Sequence, residues 1–224
     1  MARYFISAMI VMLTLSVSAQ KNKFTPPEYK KISKAIDRAN APTSYHTLME
    51  RYRMHDTTLS PKEYHLLYYG YSLQPEYTAS SGSPMADSLM SILRQDQVRP
   101  GQYALVITYC NAILEDSPFE MRFLDPLIYV SRMQGNNDLA ARLEFKLGRI
   151  IETIFTSGDG LTEATAFHII SVSHETDMLR ALGFGFSGGQ RVTNGQLDFL
   201  KVEPNDYGIT GMYFNTSALA NAVK

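Results

Sequence analysis

The sequence predicts an α+β fold: helical-hairpin, TPR-like repeats packed on a small, mainly antiparallel β-sheet at the C-terminus. Three observations carry this reading. From Glu28 to about Phe155 the apolar residues recur at three and four, the spacing of a helical face. Past Ala166 they gather into short β-branched and aromatic runs separated by turn residues, the signature of strands. Between the two parts, Thr156-Ser157-Gly158-Asp159-Gly160 reads as a loop, because its glycines interrupt either period.

Helix starts are expected at Thr43-Ser44, Ser60-Pro61, Ser83-Pro84, Arg99-Pro100, Ser117-Pro118 and Asn136-Asn137-Asp138. A hydroxyl or amide side chain before the first turn accepts from free backbone N–H groups, and proline suits the first helical position. The stripes between these marks include Tyr64, Leu67, Tyr68 and Tyr71, and the longer run Leu139, Leu143, Leu147, Ile150, Ile151 and Ile154. Pro61, Tyr64, Leu66 and Tyr69 stand 39 residues before Pro100, Tyr103, Leu105 and Thr108. Recurrence at that interval, with a third helix pair expected at 119–133 and 137–155, is the mark of stacked helical hairpins.

In the C-terminal part, residues 166–172 read as a strand. Ser173 is expected to cap a short helix from His174 to Leu182, with Gly183 as its stop. Gln190–Thr193, Asn194-Gly195 and Gln196–Val202 form a hairpin, since Asn-Gly supplies the positive φ values of a type I′ turn. Glu203–Asp206 makes the next turn and Tyr207–Phe214 the next strand. The regions 28–155 and 160–216 read as one domain.

The N-terminus places this domain in the cell. Arg3, an apolar stretch from Tyr4 to about Val17, and Val17-Ser18-Ala19 before Gln20 have the layout of a cleavable signal peptide over residues 1–19. The stretch is interrupted by Ser7, Thr14 and Ser16 and is short for a spanning helix, which needs about 20 mostly apolar residues. No stable membrane anchor is expected after cleavage, and the destination is extracytoplasmic, periplasmic or secreted. Residues 20–27 read as a flexible leader. Cleavage of the 224-residue chain leaves 205 residues, with 20 Lys+Arg against 22 Asp+Glu. That balance offers nothing for nucleic acid or an anionic membrane.

The chemistry on offer is sparse. Cys110 is the only cysteine, so an internal disulfide and a thiolate metal cluster are both excluded; burial is its expected state. His46, His55 and His65 lack the i, i+4 spacing that sets two imidazoles on one helical face, and each reads as a surface or half-buried residue. The glycine cluster Gly183, Gly185, Gly188 and Gly189 is followed by no Lys-Ser/Thr and no helix. It therefore fails as a phosphate loop and reads as a flexible lead into the hairpin. No cofactor and no metal site is expected. The one convergence worth weighing is at the helix–sheet junction, residues 159–177. There a strand-borne His168, a helix-start His174 with Glu175 and Asp177, and Asp159 between two glycines are candidates for proton transfer or metal binding. The tyrosine-rich segment Tyr64, Tyr68, Tyr69, Tyr71 and Tyr77 is divided between core and binding surface.

Three segments, Tyr68–Tyr77, Asp159–Glu175 and Pro204–Phe214, together resemble an uncharacterised domain-of-unknown-function family of secreted Bacteroidetes proteins, across about residues 28–216. The resemblance implies an extracytoplasmic home and one evolutionary unit, and carries no activity. Two functions follow. The first is a non-enzymatic binding or accessory protein, holding a protein or peptide partner on its helical surface. The second is a hydrolase-type or metal-dependent enzyme with Asp159, His168, His174 and Glu175 as its site.

Overall fold

A computed structural model describes residues 24–39, 41–79, 84–95, 97–192 and 195–223. Residues 1–19, expected as a signal peptide, residues 20–23 of the expected leader, Ser83, Thr193 and Asn194 lie outside the described residues. Eight α-helices and four strands follow in order. They are α1 (Tyr29–Ile36), α2 (Tyr45–Arg53), α3 (Pro61–Tyr71), α4 (Pro84–Leu93), α5 (Tyr103–Asp116), α6 (Met121–Met133), α7 (Asn137–Phe155), β1 (Phe167–His168), α8 (Ser173–Ala181), β2 (Phe186–Val192), β3 (Leu197–Val202) and β4 (Gly211–Asn215). The α+β class holds, and among the described residues no helix is long and apolar enough to cross a membrane.

Local chemistry starts several helices as expected. Ser44 accepts from Thr47 N–H at the head of α2, and Asn136 accepts from Leu139 N–H at the head of α7. Ser60 and Glu63 cap each other reciprocally around Pro61 in α3, which satisfies two otherwise orphaned donors. At Arg99-Pro100 a single 3₁₀ turn precedes α5. The helix expected from 119 begins two residues later, at Met121.

The helices group around α3, whose Tyr64, Leu66, Leu67, Tyr68, Tyr69, Gly70 and Tyr71 are all buried. The C-terminal half of α3, buried on every side, is a core element, so the four-residue stripe seen in the sequence is only part of its packed surface. Gly70 lets α1 approach closely: a Cβ there would stand 2.8 Å from Ile36 Cδ1. The pairs α2–α3, α4–α5 and α6–α7 each pack internally, and α5 packs on α6. But α3 also packs directly on α7, past the pair between them. A stack in which each unit touches only its neighbours does not produce that contact; the helices close into a bundle, and the repeat expectation is not met there.

The sheet has the order β1-β4-β3-β2. The β2–β3 and β3–β4 pairs are antiparallel, and β1 adds to β4 in parallel. One buried cluster runs from Ile32 and Leu48 through the helices to Phe167, Met212 and Phe214.

Four local expectations are corrected. The strand expected over 166–172 stops at His168 because Ile170 is bonded to the Tyr68 and Tyr77 side chains, and Ser171 to Glu120, instead of to a strand. Ser173 does not cap α8: it is the first helical residue, and its hydroxyl turns to Glu120. The glycine cluster is no loose lead-in, since Gly188 and Gly189 lie within β2, opposite Lys201 and Leu200, beside a register shift. A paired partner strand orders glycines that have no preference of their own. Finally, β4 begins at Gly211 and not at Tyr207. The Asn205 side chain holds the preceding turn, donating to Ile209 O at 2.7 Å and accepting from Tyr207 N–H at 3.1 Å and Ile209 N–H at 3.2 Å.

Candidate functional site

The junction is built by tyrosines of α2, α3 and the segment after α3 reaching to distant backbone. Tyr77 Oη donates to Ile170 O at 2.8 Å and Tyr69 Oη to His168 O at 3.2 Å. Tyr71 Oη donates to Asp116 O at 3.1 Å, and Tyr52 Oη to Pro118 O at 2.7 Å. Each ring fills core while its hydroxyl satisfies a carbonyl that no ladder or helix serves. Tyr64, Tyr68, Tyr69, Tyr71 and Tyr77 are all buried, so the tyrosine-rich segment belongs to the core.

His174 sits at the centre of this arrangement, fully buried. Its Nε2 faces Phe119 O at 2.9 Å and its Nδ1 faces Tyr68 Oη at 2.7 Å. A carbonyl only accepts, so Nε2 carries the proton and Nδ1 accepts from Tyr68. Burial holds this imidazole below its ordinary pKa, against the opposing pull of Glu120 and Asp177. Beside it the Glu120 carboxylate accepts from Ser171 Oγ at 2.6 Å and Ser173 Oγ at 2.7 Å. The two hydroxyls serve Glu120 and each other, not His174, so the pairing of nucleophile with base that acyl transfer needs is not made here. On α8, Asp177 meets Arg180 at 3.1 Å and Arg122 at 3.5 Å; burial raises its carboxyl pKa, with Arg122 opposing. The crevice lined by Tyr71, Glu120, Ser171 and His174 has a free volume of about 10 Å³, the space of a single water.

Asp159 and His168 do not join His174. Asp159 closes its own loop, accepting from Leu161 N–H at 3.0 Å and Thr165 Oγ1 at 2.5 Å. His168, half-buried on β1, keeps company with His65 of α3; burial first, and that neighbour second, lower its pKa to about 4. Glu175 is buried on α8. Among the described residues no group of three or more His, Cys, Asp or Glu side chains is disposed to hold a metal. Cys110 is fully buried, and burial pushes its thiol up to about 12.

Open space lies elsewhere. A groove of about 770 Å³ runs between α1 and the N-terminal half of α3, within the range of ligand sites. Ile32, Ala35 and Leu66 supply apolar surface, while Lys34, Arg38 and Lys62 project at its edges. Glu28 also borders it, 2.7 Å from Lys31, which leaves an excess of positive charge along the rim. Sequence reading passed over these residues because each is unremarkable in isolation; the basic residues 30, 31, 34 and 38 around the short helix α1 were the available signal.

A family model, Domain of unknown function (DUF4919), matches residues 30–224. The chain belongs to the DUF4919 family. The match takes in the sheet and the helices from the second residue of α1 on, so the junction and most of the groove lie within the DUF4919 match, which Thr25, Pro26 and Glu28 of the groove precede. No curated protein and no solved structure is significantly similar to this chain.

Proposed function

We propose that this DUF4919 protein is an exported, non-enzymatic binding protein that holds an acidic, partly apolar peptide segment of a partner in the α1–α3 groove. The observation that carries the reading is the groove itself: apolar walls with a rim where Lys34, Arg38 and Lys62 outnumber the one carboxylate, which is already engaged by Lys31. Such a rim favours anionic side chains flanking an apolar anchor. The enzymatic alternative at 159–177 loses support from the packing there, where His174 has both ring nitrogens committed and no substrate-sized space beside it.

Export rests on the signal-peptide pattern of residues 1–19 and on the resemblance to secreted proteins. Mass spectrometry of the native exported protein is expected to find Gln20 at its N-terminus; an intact Met1 contradicts export by cleavage.

The binding test uses a labelled probe peptide alternating Glu with Leu and Phe, titrated by fluorescence anisotropy. A Kd on the order of 10–100 µM is expected at low salt, weakening as salt screens the rim. Lys34→Glu combined with Arg38→Glu should weaken binding at least tenfold. No binding, or equal binding to the charge-reversed protein, contradicts the proposal.

A further inference from the structure

Away from the groove, two adjoining concavities of about 280 Å³ and 320 Å³ share His55, Asn111 and Leu127 as lining residues. They open among α2, α5, α6 and α7. Leu114, Leu124 and Leu143 give the first an apolar wall. Into that same wall projects the side chain of Lys146, only 6% exposed. Its Nζ lies 4.1 Å from the centre of the Tyr52 ring, and among the described residues no carboxylate comes within ion-pair distance of it.

A buried ammonium held by a ring face alone is incompletely compensated, because an aromatic quadrupole offsets only a small part of what desolvation removes. His55 adds a second unmatched group. Its backbone takes φ +57°, the only positive φ outside glycine among the described residues, and its buried Nδ1 has no hydrogen-bond partner. An imidazole nitrogen and an ammonium, both lacking acceptors or donors of their own and both beside open space, call for a group that the chain does not supply. Of the other charged side chains, Arg53 and Glu115 line the first concavity and Arg142 acts on His55.

We propose that this pocket binds a small carboxylate with an apolar tail, the carboxylate seated between Lys146 and His55 and the tail along Leu114, Leu124 and Leu143. One buried cation matches one negative charge, and Glu115 at the edge disfavours a dianion such as a phosphate ester. A cationic ligand would meet Lys146 as a like charge. Burial lowers the Lys146 pKa to about 7, so above neutral pH the amine must take up a proton as the carboxylate arrives.

Octanoate is the probe, titrated calorimetrically into the whole mature protein at pH 8 in two buffers of different ionisation enthalpy, with octanol and octylamine as controls. The expected result is octanoate binding with uptake of about one proton, and no comparable binding of octylamine. Lys146→Met, similar in length and apolar, should lower octanoate affinity at least tenfold and leave any octanol binding unchanged. Absence of octanoate binding, or equal binding by Lys146→Met, overturns the proposal. Should that variant fail to fold, the wild-type proton uptake decides: octanoate binding with none overturns it.

Discussion

His174 and Lys146 are both ionisable, both almost wholly buried, and both held below their ordinary pKa by burial. They differ in what surrounds them. At His174 each ring nitrogen has a partner within 2.9 Å and the adjoining space would admit one water. At Lys146 the ammonium lies over the Tyr52 ring, with no ion-pair partner among the described residues, and opens on a concavity of about 280 Å³. A satisfied buried polar group specifies a packing arrangement; an unsatisfied one beside a void leaves an interaction to be completed from outside. His174 is a satisfied packing centre of the junction, and the unmatched Lys146 and His55 Nδ1 lie in the helical part.

The largest expected effect tests the structural half. His174→Ala removes two hydrogen bonds and strands Tyr68 Oη and Phe119 O in the core, which costs roughly 3 kcal/mol once the cavity is included. For a domain of this size that corresponds to a fall in Tm of about 6–12 °C. Urea unfolding of the variant checks it. A loss below about 0.5 kcal/mol would mean that the site is as loosely matched as the Lys146 pocket.

Lys146→Met should act in the opposite direction, stabilising the unliganded protein by about 1–2 kcal/mol at pH 7, because it removes an uncompensated buried charge. The sign with pH follows from linkage. The folded-state pKa of about 7 lies below the unfolded value near 10.4, so the unfolded chain binds the extra proton between the two. Wild-type stability from this group is therefore lowest at and below pH 7, and recovers as pH rises toward 10. The gap between Lys146→Met and wild type should therefore close between pH 7 and pH 9, an interval over which linkage raises wild-type stability by roughly 2 kcal/mol. Measuring the difference between the two proteins cancels His168, and His55, which burial first and Lys146 second hold at about 4 in the wild type, titrates below this interval. A constant gap would contradict the reading of Lys146.

The fold was legible where its causes are local. Ser44, Ser60 and Asn136 start helices through side chains that bond their own first turn, and α7 spans the range its stripe marks. It was illegible where a distant partner decides. Strand β1 is cut short by Tyr68 and Tyr77, which reach Ile170 from about a hundred residues away along the chain, and the glycines of β2 are ordered by β3. The same division holds for the site. His174 stands out in the sequence, but its role depends on Tyr68 and Phe119. Lys146 was partly legible: it sits between Leu143 and Ile150 at the spacing of the buried stripe, where a charge is out of place.

The smallest effect on stability should come from the rim of the groove. Lys34→Glu with Arg38→Glu alters exposed charges that form no ion pair among the described residues, and should change stability by no more than about 0.5 kcal/mol, so that any loss of peptide binding reports the surface and not the fold.

The central claim is that binding belongs to the helical surface and that the junction only supports it. A ¹H–¹⁵N NMR titration of the mature protein with the Glu/Leu/Phe peptide tests this most directly. The account predicts progressive shifts at amides of α1 and the first turns of α3, among them Lys34, Lys62 and His65, with residues 168–177 unmoved. Shifts concentrated at His168, His174 and Glu175, with α1 silent, would contradict it.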